Sequence, residues 1–364
     1  MKKNDHLYAV IMAGGSGERF WPVSRTAKPK QLLPIVGKKT MIQETVGRIA
    51  PLVPRGRIYV VTNREQAAEV RRQLPGVPQG NIVAEPMGRD TAPCIALAAA
   101  LIRRRDPDGV MIVMPADHVI RDLSVFRATL ADAARLCVRD DRLVTIGIRP
   151  STPHTGYGYI KFGGKISSGT KTVFSTVERF EEKPDRQRAE QFLSAGNYYW
   201  NSGMFVWRAA TILEEMKKYM PRLYDAAREM SAAAGKKDFA RRIERIYRGL
   251  ERRSIDYGVM EKSDRVVAAE SNFYWDDVGS WASFRKYRRE DAFRNVAEGD
   301  VVTFDTQDSV LIAKEGTVAV LGMKGVTVVK TADAVVVCPS SRLEEIKHLV
   351  KAMKENKKLR RYTE

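Results

Sequence analysis

Four short runs of uninterrupted apolar residues, rich in β-branched side chains, constrain this chain more than any other feature. They are 7–13 (LYAVIMA), 58–62 (IYVVT), 110–114 (VMIVM) and 143–148 (LVTIGI). A strand with one wet face alternates apolar and polar residues, whereas a run without alternation belongs to a strand buried on both faces. Segments of helical length and pattern lie at 40–50, 64–74, 91–105 and 124–138. This rhythm predicts an α/β sheet of mostly parallel strands. Ligands of such sheets bind beyond the carboxyl ends of the strands.

The texture changes twice. Between about 155 and 275, aromatic strand-like pieces (YGYIKF, YYWNSGMFVW) alternate with helical pieces at 208–219, 222–234 and 238–250, read as an insertion that continues the same sheet. After about 290, short β runs punctuated by Gly and Asp predict a small β domain, either a meander or a few coils of a β-helix. The expected division is a catalytic domain over 1–290 and a C-terminal β domain over 291–364. A terminal helix places Ile346, Leu349, Val350 and Met353 on one face and Lys347, Lys351, Lys354 and Lys358 on another. That pattern predicts an amphipathic helix packed on the β domain with a solvated lysine face.

The chain of 364 residues carries 62 Lys and Arg against 44 Asp and Glu, a formal charge of +18. Such a field attracts nucleic acid, anionic membrane or phosphorylated small molecules. The basic residues are dispersed and form no recognised nucleic-acid motif, so no nucleic-acid partner is expected. No apolar stretch approaches the roughly 18–20 residues of a spanning helix, so no membrane association is expected. Cys94, Cys137 and Cys338 are widely spaced and form no CxxC pair, which excludes a zinc ribbon and a disulfide framework. A reducing, cytoplasmic setting is the expectation.

The first apolar run leads into VIMAGGSGERFWPVSRTAKPKQ, residues 10–31. It has neither the GxxxxGK[ST] of a Walker loop nor the third glycine of a dinucleotide fingerprint, because Phe20 stands there. Gly14, Gly15 and Gly17 let backbone N–H groups approach an anion. Arg19 adds a forked cation and Lys30 a point charge, with Pro29 fixing the chain before it. Several cations converging past a strand suit a triphosphate. In AEPMGRDTAPCIALAAALI, 84–102, Glu85 ends a strand. A buried carboxylate there can accept from two adjacent donors, as guanine N1–H and its 2-amino group are. The competing reading is a loop carboxylate before a helix started by Thr91 and Pro93.

The run at 110–114 delivers Asp117 to its carboxyl end. A carboxylate beside phosphates suits Mg²⁺, which takes a few carboxylates plus phosphate oxygens; otherwise Asp117 caps the next helix. His118 is read as a hydrogen-bonded structural residue. In YWDDVGSW, 274–281, Asp276 and Asp277 flank a turn before a helix at 281–290. Adjacent side chains diverge, so only one of the two is expected in the site. PHTGYGYI offers Gly156 and Gly158 to a sugar face, FEEKP offers Glu182 and Lys183 to hydroxyls and phosphate, and YYWNSGMFVW offers Asn201, whose amide both donates and accepts.

Together AGGSGERFWPVSRTAKPKQLLPI and the motifs after it resemble the sugar-1-phosphate nucleotidyltransferases, and among them the mannose-1-phosphate guanylyltransferases. The resemblance covers nearly the whole chain. It implies a Rossmann-like nucleotidyltransferase domain with a mixed, mostly parallel sheet and a small β-helix-like C-terminal domain ending in a helix. It implies GTP and mannose 1-phosphate as substrates. Gly14, Gly15, Gly17, Glu85 and Gly88 would bind the nucleotide, with Arg19 and Lys30 as catalytic cations on the phosphates and departing pyrophosphate. Gly156, Glu182, Lys183 and Asn201 would bind the sugar phosphate. Asp277, in the D-V-G step, would pair with Asp117 on Mg²⁺. The chain departs from the pattern at Asp90, where Asn is usual. SIDYGVMEK, 254–262, is also similar to a family motif, with a structural or site-edge role. A related transferase with another hexose phosphate or nucleotide is the alternative. Longer relatives carry an isomerase domain with a histidine metal site; His348 stands alone, so no isomerase activity is expected. A homodimer through the C-terminal domain is expected, and Lys28 has no assigned role.

Overall fold

The computed structural model describes residues 5–364. Its strands are β1 (Leu7–Ala13), β2 (Ile58–Asn63), β3 (Ile82–Glu85), β4 (Val110–Pro115), β5 (Val119–Ile120), β6 (Leu143–Ile148), β7 (Tyr159–Ile166), β8 (Phe174–Glu181), β9 (Tyr198–Arg208), β10 (Val266–Glu270), β11 (Trp275–Asp276), β12 (Val296–Phe304), β13 (Val310–Leu321), β14 (Val326–Lys330) and β15 (Val335–Pro339). The longer helices are α1 (Met41–Ile49), α2 (Ala67–Gln73), α3 (Thr91–Arg105), α4 (Leu123–Asp140), α5 (Arg186–Ala195), α6 (Ala209–Tyr219), α7 (Pro221–Ala233), α8 (Phe239–Arg248), α9 (Trp281–Phe284) and α10 (Ile346–Glu355).

Nine strands form the central sheet in the order β3-β2-β1-β4-β9-β6-β10-β8-β7. β1 pairs in parallel with both β2 and β4, so the chain leaves its carboxyl end at the point where the winding reverses. Only β8 and β9 run against the rest, which makes the sheet mixed but mostly parallel. The segment after 155 does extend this sheet, and β9 enters it antiparallel between β4 and β6.

Burial on both faces follows the strand period of two. In β1, Leu7, Ala9, Ile11 and Ala13 face one core with α1, α2 and α4, whereas Tyr8 and Val10 face a second core with α3, α6, α7 and α8. The four uninterrupted apolar runs thus reflect helices on both sides. The expected helix at 281–290 is shorter: α9 is one turn, continued by a single 3-10 turn at Arg285–Tyr287.

In the C-terminal domain, β12 pairs with β13, and β13 with β14, in parallel. Parallel pairing of successive strands excludes a meander and leaves β-helix-like coils. The corner falls between Glu298 and Asp300, where Gly299 has φ +85°. A third core joins this domain to the one before it: Val296, Val310, Ile312, Val329 and Val336 pack with Phe20, Trp21, Leu33, Val278, Trp281 and Phe284.

The terminal helix is amphipathic and packs on the β domain as expected, with Lys347, Lys351 and Lys358 exposed, but its apolar face reaches further. Ile346 and Val350 are buried, but in that shared core beside Phe20 and Trp21, and Leu349 is half exposed. α10 lies against the short turn Glu18–Phe20 of the glycine loop, and Lys354 donates to Glu18 (2.6 Å). The face read as solvated therefore borders that loop. Beyond it, Trp21 Nε1 donates to the Tyr362 carbonyl (2.8 Å) and the Thr26 N–H to that of Thr363 (3.0 Å).

A methyl group on Gly299 would drive into the Ala313 carbonyl oxygen at a backbone angle unsuited to other residues. The Gly299→Ala variant is expected to lose about 2–3 kcal/mol by denaturant titration of the whole chain.

Candidate active site

Gly17 fixes the geometry of the glycine loop. It adopts φ +60°, and a Cβ there would lie 2.6 Å from the Lys30 backbone nitrogen. Only glycine lets the two segments meet so closely. Lys30 is thereby pressed under the loop and is 4% exposed. Its ammonium donates to Asp117 Oδ2 (2.8 Å) and to the backbone carbonyl of Asp277. The expected triphosphate cation thus stands between the two carboxylate-bearing segments.

Those segments meet through a two-stranded antiparallel ladder, in which Ile120 pairs with Trp275 and Val119 with Asp276. The ladder closes about 160 residues of sequence and brings Asp117 and Asp277 to one cavity. Burial raises the Asp117 carboxyl, but the groups around it, Lys30 first, together hold it below its ordinary value. His118 also borders this cavity, but burial lowers it to about 4, and its Nδ1 accepts from Trp275 Nε1 (3.0 Å). It is a neutral structural residue.

The two adjacent aspartates diverge. Asp276 is buried, receives the Val278 N–H (2.7 Å) and pairs with Lys286 (2.7 Å). Val278 is fully buried at φ +48°, an unfavourable angle for a β-branched residue. The strained turn aims Asp277 into the cavity, where Tyr157 Oη donates to its Oδ1 (2.6 Å). Burial first, and then Asp277, raise the Tyr157 phenol. Tyr157 was not among the expected site residues; an aromatic in a GYGY turn carries no distinguishing signal.

A cavity of about 310 Å³ is lined by Gly17, Arg19, Lys30, Asp117, Asp277 and Lys347. Arg19 pairs with Glu344 (Nε–Oε2 3.0 Å). Among the described residues no group of three or more His, Cys, Asp or Glu could hold a metal. The pair Asp117 and Asp277 nevertheless fits Mg²⁺, which characteristically takes one or two carboxylates and completes its shell with phosphate oxygens and water.

Toward the sheet edge, Gly14 adjoins Glu85: a Cβ on it would lie 3.6 Å from Glu85 Oε2 and 3.4 Å from Asn63 Oδ1. Asn63 Oδ1 is a buried acceptor without a partner, while its amide nitrogen holds the Gly14 carbonyl (2.9 Å). Burial raises the Glu85 carboxyl to about 7, although Tyr247 donates to it (2.9 Å). Gly15 and Gly88 are exposed, with open space where a side chain would be.

Asp90 takes φ 70° and ψ −171°, and its Oδ1 accepts the Thr91 N–H (2.8 Å) at the start of α3. This conformation lies in a region otherwise nearly confined to glycine. Asp keeps the capping acceptor that Asn would supply. The loop is clamped by backbone bonds between Arg89 and Arg253 (3.2 Å) and between Ala92 and Arg253 (3.1 Å). The SIDYGVMEK segment therefore borders the site.

Among the residues expected to bind the sugar phosphate, a Cβ on Gly158 would lie 2.5 Å from Glu182 Oε2 and 3.6 Å from Asn201 Cβ, so these three converge. Gly156 is exposed and instead adjoins the His154 ring. Lys183 pairs with Glu182 at φ +46°. Beneath Asn201 lies Asp256, which accepts from its amide (2.7 Å) and which burial raises to about 6. Glu182, Lys183, Asp256, Asp90 and Thr91 line a cavity of about 510 Å³.

This chain belongs to the nucleotidyl transferase family, whose model matches residues 8–293. A second model, described as a MannoseP isomerase/GMP-like beta-helix domain, matches 299–353. The chain is 42% identical to the xanthan biosynthesis protein XanB of Xanthomonas campestris pv. campestris, over 95% of its own length and 73% of that protein. It is 40% identical to a mannose-1-phosphate guanylyltransferase of Escherichia coli (strain K12), over 96% of its length and 73% of the relative. A crystal structure from Thermus thermophilus, described as a mannose-1-phosphate geranyltransferase, superposes with a TM-score of 0.85 at 36% identity, covering 96% of this chain and 99% of that one.

Ionising Glu85 costs the folded state, because its carboxyl titrates near 7 when folded and near 4.5 when unfolded. Stability is highest below about 4.5 and falls as pH rises to about 7. At pH 8 the Glu85→Gln variant is expected to exceed wild type by up to about 3 kcal/mol, with the gap closing by pH 4.5. Denaturant titrations of both chains across that range check this.

Proposed function

We propose that the protein transfers GMP from GTP to α-D-mannose 1-phosphate, giving GDP-mannose and pyrophosphate. The arrangement that carries this reading is Lys30 beneath the glycine loop, between Asp117 and Asp277. The base and sugar-phosphate clusters accompany it. The guanylyltransferase relatives, aligned over nearly the whole chain, supply the choice of sugar and nucleotide.

A phosphate oxygen of the sugar phosphate attacks the α-phosphorus of GTP in line. The new P–O bond forms as the bond to the β-phosphate oxygen breaks, and pyrophosphate departs with that electron pair. The nucleophile is already an anion, so positioning and charge neutralisation are what the protein must provide. Loop N–H groups at Gly14, Gly15 and Gly17 cradle the phosphates, and Arg19 and Lys30 offset the charge gathering on pyrophosphate. Ionised Glu85 accepts guanine N1–H and the 2-amino group, and Gly88 lets the neighbouring backbone lie against the base. Gly158, beside Glu182 and Asn201, forms the wall of the sugar site, with Gly156 at its exposed edge. Glu182 and Asn201 take hydroxyls, and Lys183 the sugar phosphate. Asp117 and Asp277 would hold Mg²⁺, which when bound neutralises charge between the reacting phosphates.

The reaction belongs in the cytoplasm. Three unpaired cysteines suit that reducing compartment, and among the described residues no helix is long and apolar enough to cross a membrane. A second copy of this chain binds the C-terminal domain. Phe304 and Leu321 face each other across β12 and β13, both 73% exposed, with Val302 and Met323 also exposed. An apolar surface of this kind marks an interface.

Pyrophosphate release measured over a matrix of nucleoside triphosphates and sugar 1-phosphates with Mg²⁺ should be greatest for GTP with mannose 1-phosphate. Lys30→Ala and Asp277→Ala are each expected to lower kcat about 10²–10³-fold; wild-type rates would remove these assignments. Sedimentation of a Phe304→Asp, Leu321→Asp double variant is expected to report a monomer where wild type reports a dimer.

A further inference from the structure

The terminal helix contributes more than packing. Ile346 and Val350, one turn apart and nearly fully buried, fix its rotation against Phe20 and Trp21. With that face inward, Lys354 reaches Glu18 (2.6 Å), and Lys347, two turns earlier on the same stripe, lines the cavity of Arg19, Lys30, Asp117 and Asp277. Three residues before Lys347, Glu344 pairs with Arg19 (3.0 Å). The cavity is thus bordered by residues that the catalytic segment alone does not contain.

The charges of this cavity single out Lys347. Lys30 is engaged by Asp117 and Arg19 by Glu344. Among the described residues, Lys347 is the cavity-lining cation with no carboxylate in salt-bridge contact. Pyrophosphate leaves with several negative charges, and Lys30 and Arg19 each also face a carboxylate, so a further cation beside them adds to the neutralisation that bound Mg²⁺ would supply. A flexible ammonium at the open side of the cavity is suited to an anion that must arrive and leave.

We propose that Lys347 is a further catalytic residue, which contacts the β- and γ-phosphates of the bound triphosphate and the pyrophosphate formed from them. Glu344 holds the Arg19 guanidinium at the cavity mouth and yields it to the phosphates when they bind. The active site is therefore assembled from both segments of the chain. This rests on the transfer reaction proposed above.

The test uses the intact chain and inorganic pyrophosphate. Lys347→Ala should raise the KM for pyrophosphate in the reverse reaction and for GTP in the forward one about tenfold, leaving the KM for mannose 1-phosphate unchanged. Lys347→Arg should restore most of the loss, and Lys357→Ala, beyond the helix, should change nothing. Calorimetric titration with pyrophosphate alone should show the same tenfold weakening in Lys347→Ala, at an unchanged melting temperature. Wild-type pyrophosphate affinity in Lys347→Ala, or an equal rise in the KM for the sugar phosphate, would overturn the role of Lys347. Absence of turnover in the unaltered protein would instead overturn the transfer reaction, and the pyrophosphate titration would still decide Lys347.

Discussion

The Lys30 ammonium is the interaction on which the rest of the site depends. It is nearly inaccessible to water, and burying a lone ammonium is costly unless a carboxylate and further acceptors surround it. Asp117 and the Asp277 carbonyl supply them. To do so, the end of β4, the turn after β11 and the segment after the glycine loop must converge on one point. The absence of a side chain at Gly17 permits the approach, and the strained Val278 turn aims the last partner. The charge that would receive phosphate is also the pin that holds three distant segments together.

A second dependence follows from the shared apolar core. Phe20 and Trp21 lie within two residues of Arg19, and part of their covering comes from β12–β15 and α10. The C-terminal coils therefore act on the glycine loop through its packing. The Thr26 N–H and hydroxyl, both donating to the Thr363 carbonyl, extend the same support along the loop's far side. A change in the small domain reaches the cavity with few intervening contacts.

Much of the architecture was legible because uninterrupted apolar runs report burial on both faces, and those runs did become the first strands of a doubly covered sheet. The entry of β9 between β4 and β6 was not legible, since periodicity describes a strand's faces and not its neighbours. The choice between a meander and coils likewise waited on the pairing direction of β12–β14. At the site, local divergence of adjacent side chains correctly separated Asp276 from Asp277. Asn63, Tyr157 and Asp256 gave no such signal: each acts through a neighbour brought close only by folding. Lys347 is exposed, as its face predicted, but that it also lines the cavity was not legible. An apolar stripe identifies which face of a helix is buried, but not what borders its polar flank.

The covering of Phe20 and Trp21 by residues near 296–350 also sets an order of events during synthesis. At about 5–20 residues per second, the ribosome needs roughly 15–60 s between making these aromatics and making the last side chains that cover them. The nascent sheet can close around β1 to β4 in that interval, while the aromatic face beside the glycine loop stays open to water and to chaperones. The glycine loop is thus among the first segments translated and among the last to be completed.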